Sequence, residues 1–250
     1  MTASILIARD LSVWFRTGRR FLGERGWIRA VDGVSLAVRE GETLAVVGES
    51  GCGKTTLGRA LVMLQRPSGG SVSFAGSELT GLSGKALRGA RRHLQMVFQD
   101  PYASLDPRQT VANIIGEPLL IAGVARAVRR RRVAELLDLV GLGTDAVHRL
   151  PREFSGGQRQ RIGIARALAA DPMLVICDEP LSALDVSIQA QIISLLLRLQ
   201  RQLGLTYIFI SHDLAVVRQM ASRVAVMYLG SIVELAATDD LFVAPRHPYT

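Results

Sequence analysis

The 250-residue sequence has only two cysteines, Cys52 and Cys177, too few for the disulfide framework of a small secreted domain. Each lies among neighbours that point to nucleotide chemistry, and each is expected to be a packing residue rather than a reagent. No apolar run approaches the roughly 18 residues of a membrane span. The opening residues, MTASILIARD, lack the basic start of a signal peptide and reach Asp10 before an apolar block has formed, so the chain is expected to stay in the cytosol. There is no fixed-period repeat, low-complexity tract or long Pro/Gly/Ser linker, which speaks against two independently tethered domains.

What is present is a globular composition, 48% hydrophobic and 21% charged, in a chain long enough to bury a full core. The formal net charge is +8 and comes almost wholly from arginine, densest at residues 129–132. Such a balance suits nucleic acid, anionic lipid or a phosphate ligand. The plainer reading of the arginine run is a solvated helix face.

Three runs rich in β-branched residues, 43–47, 173–177 and 206–210, do not alternate with polar residues, the pattern of parallel strands covered on both faces. Helical patterns follow over 54–64 and 186–203, and strand then helix, repeated, predicts an α/β core. Shorter candidate strands at 5–8, 34–38 and 71–74, separated by turn residues, predict a small antiparallel sheet. Between residues 100 and 151 strand signals give way to helical patterns, including 127–140, which reads as an inserted helical lobe.

The residues Gly48, Glu49, Ser50, Gly51, Cys52, Gly53, Lys54 and Thr55 fit the pattern G-x-x-x-x-G-K-[ST] directly after the run TLAVV and before an apolar-periodic helix. That setting is the one the pattern requires. Glycines let consecutive backbone N–H groups turn toward one anion, and the helix start adds its partial positive charge. Lys54 is placed to reach the β/γ-phosphates and the Thr55 hydroxyl to hold Mg²⁺; Thr56 joins the nucleotide-binding set.

Such a site also needs a carboxylate on a neighbouring strand for the metal and a group to orient the attacking water. Asp178 directly follows the run 173–177, at the end of the expected strand, and is assigned the metal; Glu179 comes next. A glutamate carboxylate is a weak base, so Glu179 is expected chiefly to polarise and align water. Gln99, after the run 94–98, and His212, after 207–211, repeat the arrangement. Ligands of open α/β sheets bind beyond the carboxyl ends of the strands, so all four segments are expected to aim their last residues at one crevice. Gln99 thus becomes a metal and catalytic candidate, and His212 a catalytic one. The competing readings are an ordinary exposed strand end for the two acids and a hydrogen-bonded structural role for the histidine.

Ser155, Gly156, Gly157 and Gln158 open a further helix with an apolar stripe. Ser155 is a good N-cap, and the N–H groups of the two glycines form a second anion site. An ordinary capped helix with glycines for close packing is the alternative.

On these residues the sequence resembles the nucleotide-binding subunit of ABC transporters over essentially its whole length. By that resemblance residues 48–55 correspond to the Walker A loop and 174–178 to Walker B, with Glu179 as catalytic carboxylate. Residues 155–158 look like the signature motif, Gln99 like the Q-loop residue, Ser182 to Asp185 like the D-loop and His212 like the H-loop switch. The resemblance implies that Phe15 stacks on adenine, with Trp14 as its competitor. The implied fold class is α/β: a P-loop NTPase (RecA-like) core with an N-terminal antiparallel β subdomain and an inserted helical subdomain. It would be one ABC ATPase domain over 1–250, divided at 1–98, 99–165 and 166–250.

Finer features, GESGCG at 48–53, FQDPYASLDPR at 98–108, SALDVSIQAQ at 182–191 and HPYT at 247–250, look like the bacterial dipeptide/oligopeptide/nickel importer group. The basic segment 16–29 is similar to that of one of the group's two ATPase types. The resemblance implies ATP-driven import, of peptides in the first place, with ATP and Mg²⁺ as cofactors. It implies a peripheral subunit on the cytoplasmic face of the bacterial inner membrane. Its partners would be a second ABC ATPase subunit, identical or sister, docked head to tail, two transmembrane permease subunits and, indirectly, an extracytoplasmic substrate-binding protein, with no nucleic acid. Thr55 stands where the group more often has serine, which keeps the hydroxyl. The chain stops at Thr250, where relatives usually continue, so a C-terminal tail is expected to be missing.

Two other function classes remain. One is a soluble ABC-type ATPase acting on nucleic acid, motivated by the +8 charge and tested by salt-dependent DNA binding. The other is a non-catalytic nucleotide-binding regulator of a transporter, against which the intact set of Lys54, Asp178, Glu179 and His212 argues.

Overall fold

The computed structural model describes residues 4–16, 26–100 and 102–250; most of the basic segment 16–29 lies outside them. In chain order the elements are β1 (Ser4–Arg16), β2 (Trp27–Arg39), β3 (Thr43–Val47), α1 (Lys54–Leu61), β4 (Gly69–Phe74), β5 (Ser77–Glu78), α2 (Gly84–Arg92) and β6 (Leu94–Val97). There follow α3 (Val111–Ile121), α4 (Arg126–Leu139), α5 (Gly156–Leu168), β7 (Leu174–Asp178), α6 (Val186–Leu203), β8 (Thr206–Ile210), α7 (Leu214–Met220), β9 (Arg223–Tyr228), β10 (Ser231–Ala237) and α8 (Thr238–Val243). They form two compact units, residues 1–90 with 206–250, and residues 91–205.

The first unit carries an antiparallel sheet in the order β2-β1-β4-β5. The strands expected at 5–8 and 34–38 extend to 13 residues each. Register shifts interrupt their ladder, and Asp10 sits at one of them with φ 48°. Its N–H donates to Ser35 Oγ at 2.9 Å, and its carboxylate accepts from the Ser35 hydroxyl at 3.2 Å. Such irregularities break the two-residue alternation, so the strand is not readable past that point. Leu6, Leu11, Val13, Val31 and Val38 are nonetheless fully buried.

The same unit holds a second set of strands, with β3 parallel to both β8 and β9, and β10 antiparallel to β9. Every residue of β3 and β8 is buried, as runs without alternation require. Leu229 and Gly230, between β9 and β10, both have positive φ, which matches the two-residue primed hairpin. Helix α1 stops at Leu61, short of the expected residue 64. Val62 caps it, Met63 turns left-handed at φ 59°, and the N–H groups of Leu64 and Gln65 both donate to the Arg59 carbonyl. Val62 and Met63 remain buried, so the apolar pattern past Leu61 reports burial rather than helix.

In the second unit β6 runs parallel to β7, from Leu94 opposite Leu174 to Val97 opposite Cys177. Strand β7 begins one residue later than expected and ends on Asp178; Met173 is exposed, whereas Asp178 is buried. Helix α4 buries only Val133, Leu136 and Leu137. Its arginine half is a solvated face, where Arg131 and Arg132 pair with Glu135 at 3.0 and 3.4 Å. Helix α6 buries Ile192, Ile193, Leu195, Leu196 and Leu199, a single stripe at helical spacing. Among the described residues no helix is long and apolar enough to cross a membrane.

Candidate functional site

Strand β3 delivers the chain into the loop 48–53. A Cβ on Gly48 (φ 150°) would stand 2.2 Å from the Met227 carbonyl oxygen of β9, and one on Gly53 (φ 108°) 1.9 Å from the Ala30 carbonyl oxygen of β2. Both obstacles are backbone, so only glycine fits. The Gly230 N–H donates to the Cys52 carbonyl at 3.0 Å, and the Asp32 N–H donates to the Gly230 carbonyl at 2.9 Å.

Lys54, the first residue of α1, is 4% exposed. Its ammonium donates to the Gly48 and Glu49 carbonyls, both at 2.8 Å. A buried cation held by carbonyl oxygens at a helix start is chemically suited to an anion. Cys52 is buried with its Sγ 3.9 Å from the lysine nitrogen, which agrees with a packing role. Thr55 and Thr56 follow half-buried in the first turn; Ser50 and Gly51 are exposed. The Glu49 N–H donates to the Tyr249 hydroxyl at 3.0 Å, a contact that local sequence patterns do not reveal.

His212 leaves β8 at the end of the sheet where Gly48 leaves β3, because β8 and β3 are parallel and the Ser211 N–H donates to the Val46 carbonyl at 3.2 Å. The next residue, Asp213, caps α7 by accepting from the N–H groups of Ala215 and Val216. Phe15 pairs with Ile28 of β2, two residues from the Ala30 carbonyl that closes on Gly53. Trp14 is engaged elsewhere: its ring meets Trp27 edge-on at 6.5 Å, and the Arg29 guanidinium lies 5.0 Å from its centroid. Phe15 and Trp14 are both exposed.

In the second unit, the parallel pairing of β6 and β7 brings Gln99 to Glu179, and the Gln99 amide donates to a Glu179 carboxylate oxygen at 3.1 Å. Glu179 holds φ 43°, an uncommon backbone for a residue with a side chain. Its carbonyl accepts from both the N–H and the hydroxyl of Ser182, at 3.3 and 3.1 Å. Asp178, just before it, is 1% exposed. Burial, with Asp178 adding to it, pushes the Cys177 thiol up to about 12, so this cysteine is inert.

Ser155 and Gln158 form a reciprocal cap: Ser155 Oγ accepts from the Gln158 N–H at 3.4 Å and the Gln158 side chain accepts from the Ser155 N–H at 3.0 Å. A Cβ on Gly157 would lie 2.4 Å from Ile188 Cγ2, so this glycine lets α5 approach α6, as the close-packing alternative requires. Gly156 is half-buried, and a Cβ there would lie 3.3 Å from Leu184 Cδ2. Asp185 occupies the N-cap position of α6 without its side chain capping the helix, and it is exposed.

The ABC transporter family model matches residues 31–182. The oligopeptide transport ATP-binding protein OppF of Bacillus subtilis (strain 168) is 54% identical over 235 residues, 93% of this chain and 77% of that protein. The dipeptide transport ATP-binding protein DppF of Escherichia coli (strain K12) is 49% identical over 247 residues, 98% of this chain and 74% of that protein. Among solved structures, a dimeric ATP-binding cassette in a post-hydrolysis state bound to ADP and Pi matches with a TM-score of 0.82 at 28% identity, covering 93% of this chain and 98% of that one. The fold is accordingly that of a P-loop NTPase, a RecA-like α/β core with an antiparallel β subdomain and a helical subdomain. The chain belongs to the ABC transporter family and is one of its ATPase subunits.

Proposed function

We propose that this chain powers a bacterial peptide importer, binding ATP at residues 48–55 and hydrolysing it when docked head to tail with a second ATPase subunit, identical or sister. The observation that carries the peptide cargo is the alignment of relatives named for oligopeptide and dipeptide transport with 93% and 98% of the chain. Residues 1–250 act as one ATPase domain, divided in function at 1–98, 99–165 and 166–250. The subunit works at the cytoplasmic face of the inner membrane on two permease subunits, with an extracytoplasmic binding protein selecting the cargo and no nucleic acid involved.

Each residue then has a task. Lys54 takes the β/γ-phosphates, the N–H groups of the loop cradle them, and Phe15 stacks on adenine. Glu179, held by Gln99, aligns the attacking water, and His212 contacts the γ-phosphate side of the site. Ser155, Gly156, Gly157 and Gln158, together with Asp185, serve the ATP of the partner subunit; the dimeric state of the solved cassette supports that arrangement. The donor set for the metal is all oxygen, the Thr55 hydroxyl, the Gln99 side chain and the Asp178 carboxylate, which suits Mg²⁺. Bound there, Mg²⁺ would neutralise charge building on the phosphate oxygens.

Lys54→Ala is expected to weaken ATP binding at least tenfold by calorimetry, since it removes a charge-assisted contact of about 1.5–3 kcal/mol. Unchanged affinity would remove the loop from the site. For the cargo, the chain reconstituted with its permease subunits in vesicles should drive uptake of labelled peptide only with ATP. Peptide-independent turnover without uptake would redirect the assignment to another substrate.

A further inference from the structure

We infer that Tyr249 is a positioning residue for the nucleotide site, its hydroxyl fixing the Gly48–Glu49 peptide and through it the Lys54 ammonium. The inference rests on the reading of residues 48–55 as the ATP-binding loop. It also gives a task to the HPYT segment, which the catalytic assignments leave unused.

The peptide that joins Gly48 to Glu49 is one rigid plane. Its carbonyl, on Gly48, accepts from Lys54 Nζ at 2.8 Å. Its N–H, on Glu49, donates to the Tyr249 hydroxyl at 3.0 Å. A single planar group therefore couples the phosphate-binding lysine to a tyrosine 200 residues away in sequence.

Tyr249 is itself held in place. Its ring lies against Tyr228 with centroids 4.3 Å apart, and it packs on the apolar cluster that includes Val47, Val226 and Leu241. Upstream of it, the Glu234 carboxylate accepts from the N–H groups of Arg246 and His247 at 2.9 and 3.0 Å, which fixes the approach of the segment. The tyrosine hydroxyl is thus a rigid acceptor rather than the tip of a loose side chain.

A peptide plane flanked by glycine turns over at little steric cost. Turning this one would carry the Gly48 carbonyl away from Lys54 and leave the ammonium without one of its two carbonyl acceptors. The Tyr249 hydrogen bond opposes that rotation and keeps the lysine where it meets phosphate. Preorganisation of this kind raises affinity by removing an ordering cost from binding.

The test is Tyr249→Phe, which keeps the ring and removes the hydroxyl. In nucleotide-free protein labelled with ¹⁵N, the Glu49 amide resonance should move while resonances of the second unit stay. Calorimetry with Mg²⁺ and ATP should show about five-fold weaker binding, the worth of one neutral hydrogen bond. Glu49→Pro deletes the same N–H, so Tyr249→Phe added to Glu49→Pro should cost nothing further. An unmoved Glu49 amide, an unchanged ATP affinity, or losses that add in the double variant would each overturn the inference. A wild-type chain that binds no ATP would defeat the loop reading and the inference with it, and that control separates the two failures.

Discussion

At Glu179 a glutamate occupies left-handed backbone at φ 43°, a conformation that costs of order 1 kcal/mol and persists only where its surroundings enforce it. Ser182 enforces it here by donating twice to the Glu179 carbonyl, and Gln99 then fixes the carboxylate. Glu179→Gln is expected to keep ATP affinity and slow hydrolysis on the order of 10²-fold or more; phosphate release at saturating ATP measures it, and wild-type turnover would take the role from this residue. One position earlier, Cys177 gives a pH prediction. Its thiol is pushed up to about 12 from 9.0, so the folded state binds a proton that the unfolded chain releases earlier. The stability this contributes is complete below about pH 9 and is lost as pH rises toward 12. In native protein at pH 8 Cys177 should resist iodoacetamide and become labelled only in denaturant, which peptide mass mapping will show. Lys54 is legible in sequence because its carbonyl partners, on Gly48 and Glu49, are local. Tyr249 is not, because its partner Glu49 lies at the other end of the chain.

Among elements, two glycines in motifs of similar appearance are required for different reasons. Gly157→Ala sets a methyl against a side chain, Ile188 Cγ2 at 2.4 Å, and should destabilise by about 1–3 kcal/mol as overpacking does. In an Ile188→Ala background the same change should be nearly neutral, because its obstacle is gone. Gly48→Ala meets the Met227 carbonyl oxygen at 2.2 Å, and no side-chain change relieves it. Denaturant melts of the four variants test this contrast; an unrescued Gly157→Ala would mean that α5 needs its glycine for another reason. The strands β3 and β8 and helix α6 could be read to the residue because their burial is uniform or strictly periodic. β1 and β2 could not, since the register shift beside Asp10 erases alternation. β9 and β10 went unforeseen because Leu229 and Gly230 make the hairpin turn without the Asn-Gly or Asp-Gly pair that announces it.

For the molecule as a whole, the fold class was legible because strand, loop and helix follow one another locally around Gly48. The pairing of Gln99 with Glu179, and of Phe15 with Ile28 beside the Ala30 strand, depends on registers that composition does not encode. In the proposed reading, residues 48–55 and 155–158 of one chain serve different nucleotides, so hydrolysis needs two chains. Turnover per chain should therefore rise with protein concentration toward a plateau, and phosphate release across a dilution series measures it; a flat profile, with the chain monomeric throughout, would remove the head-to-tail dimer. The chain of hydrogen bonds from Asp32 through Gly230 to Cys52 bears on how such a pair would work. Both links join backbone to backbone, so no change of side-chain rotamer loosens them. The loop is in that sense an anvil, tied at Cys52 to the β9–β10 hairpin, and in the proposed reading the surface of the second subunit is the part that moves onto it.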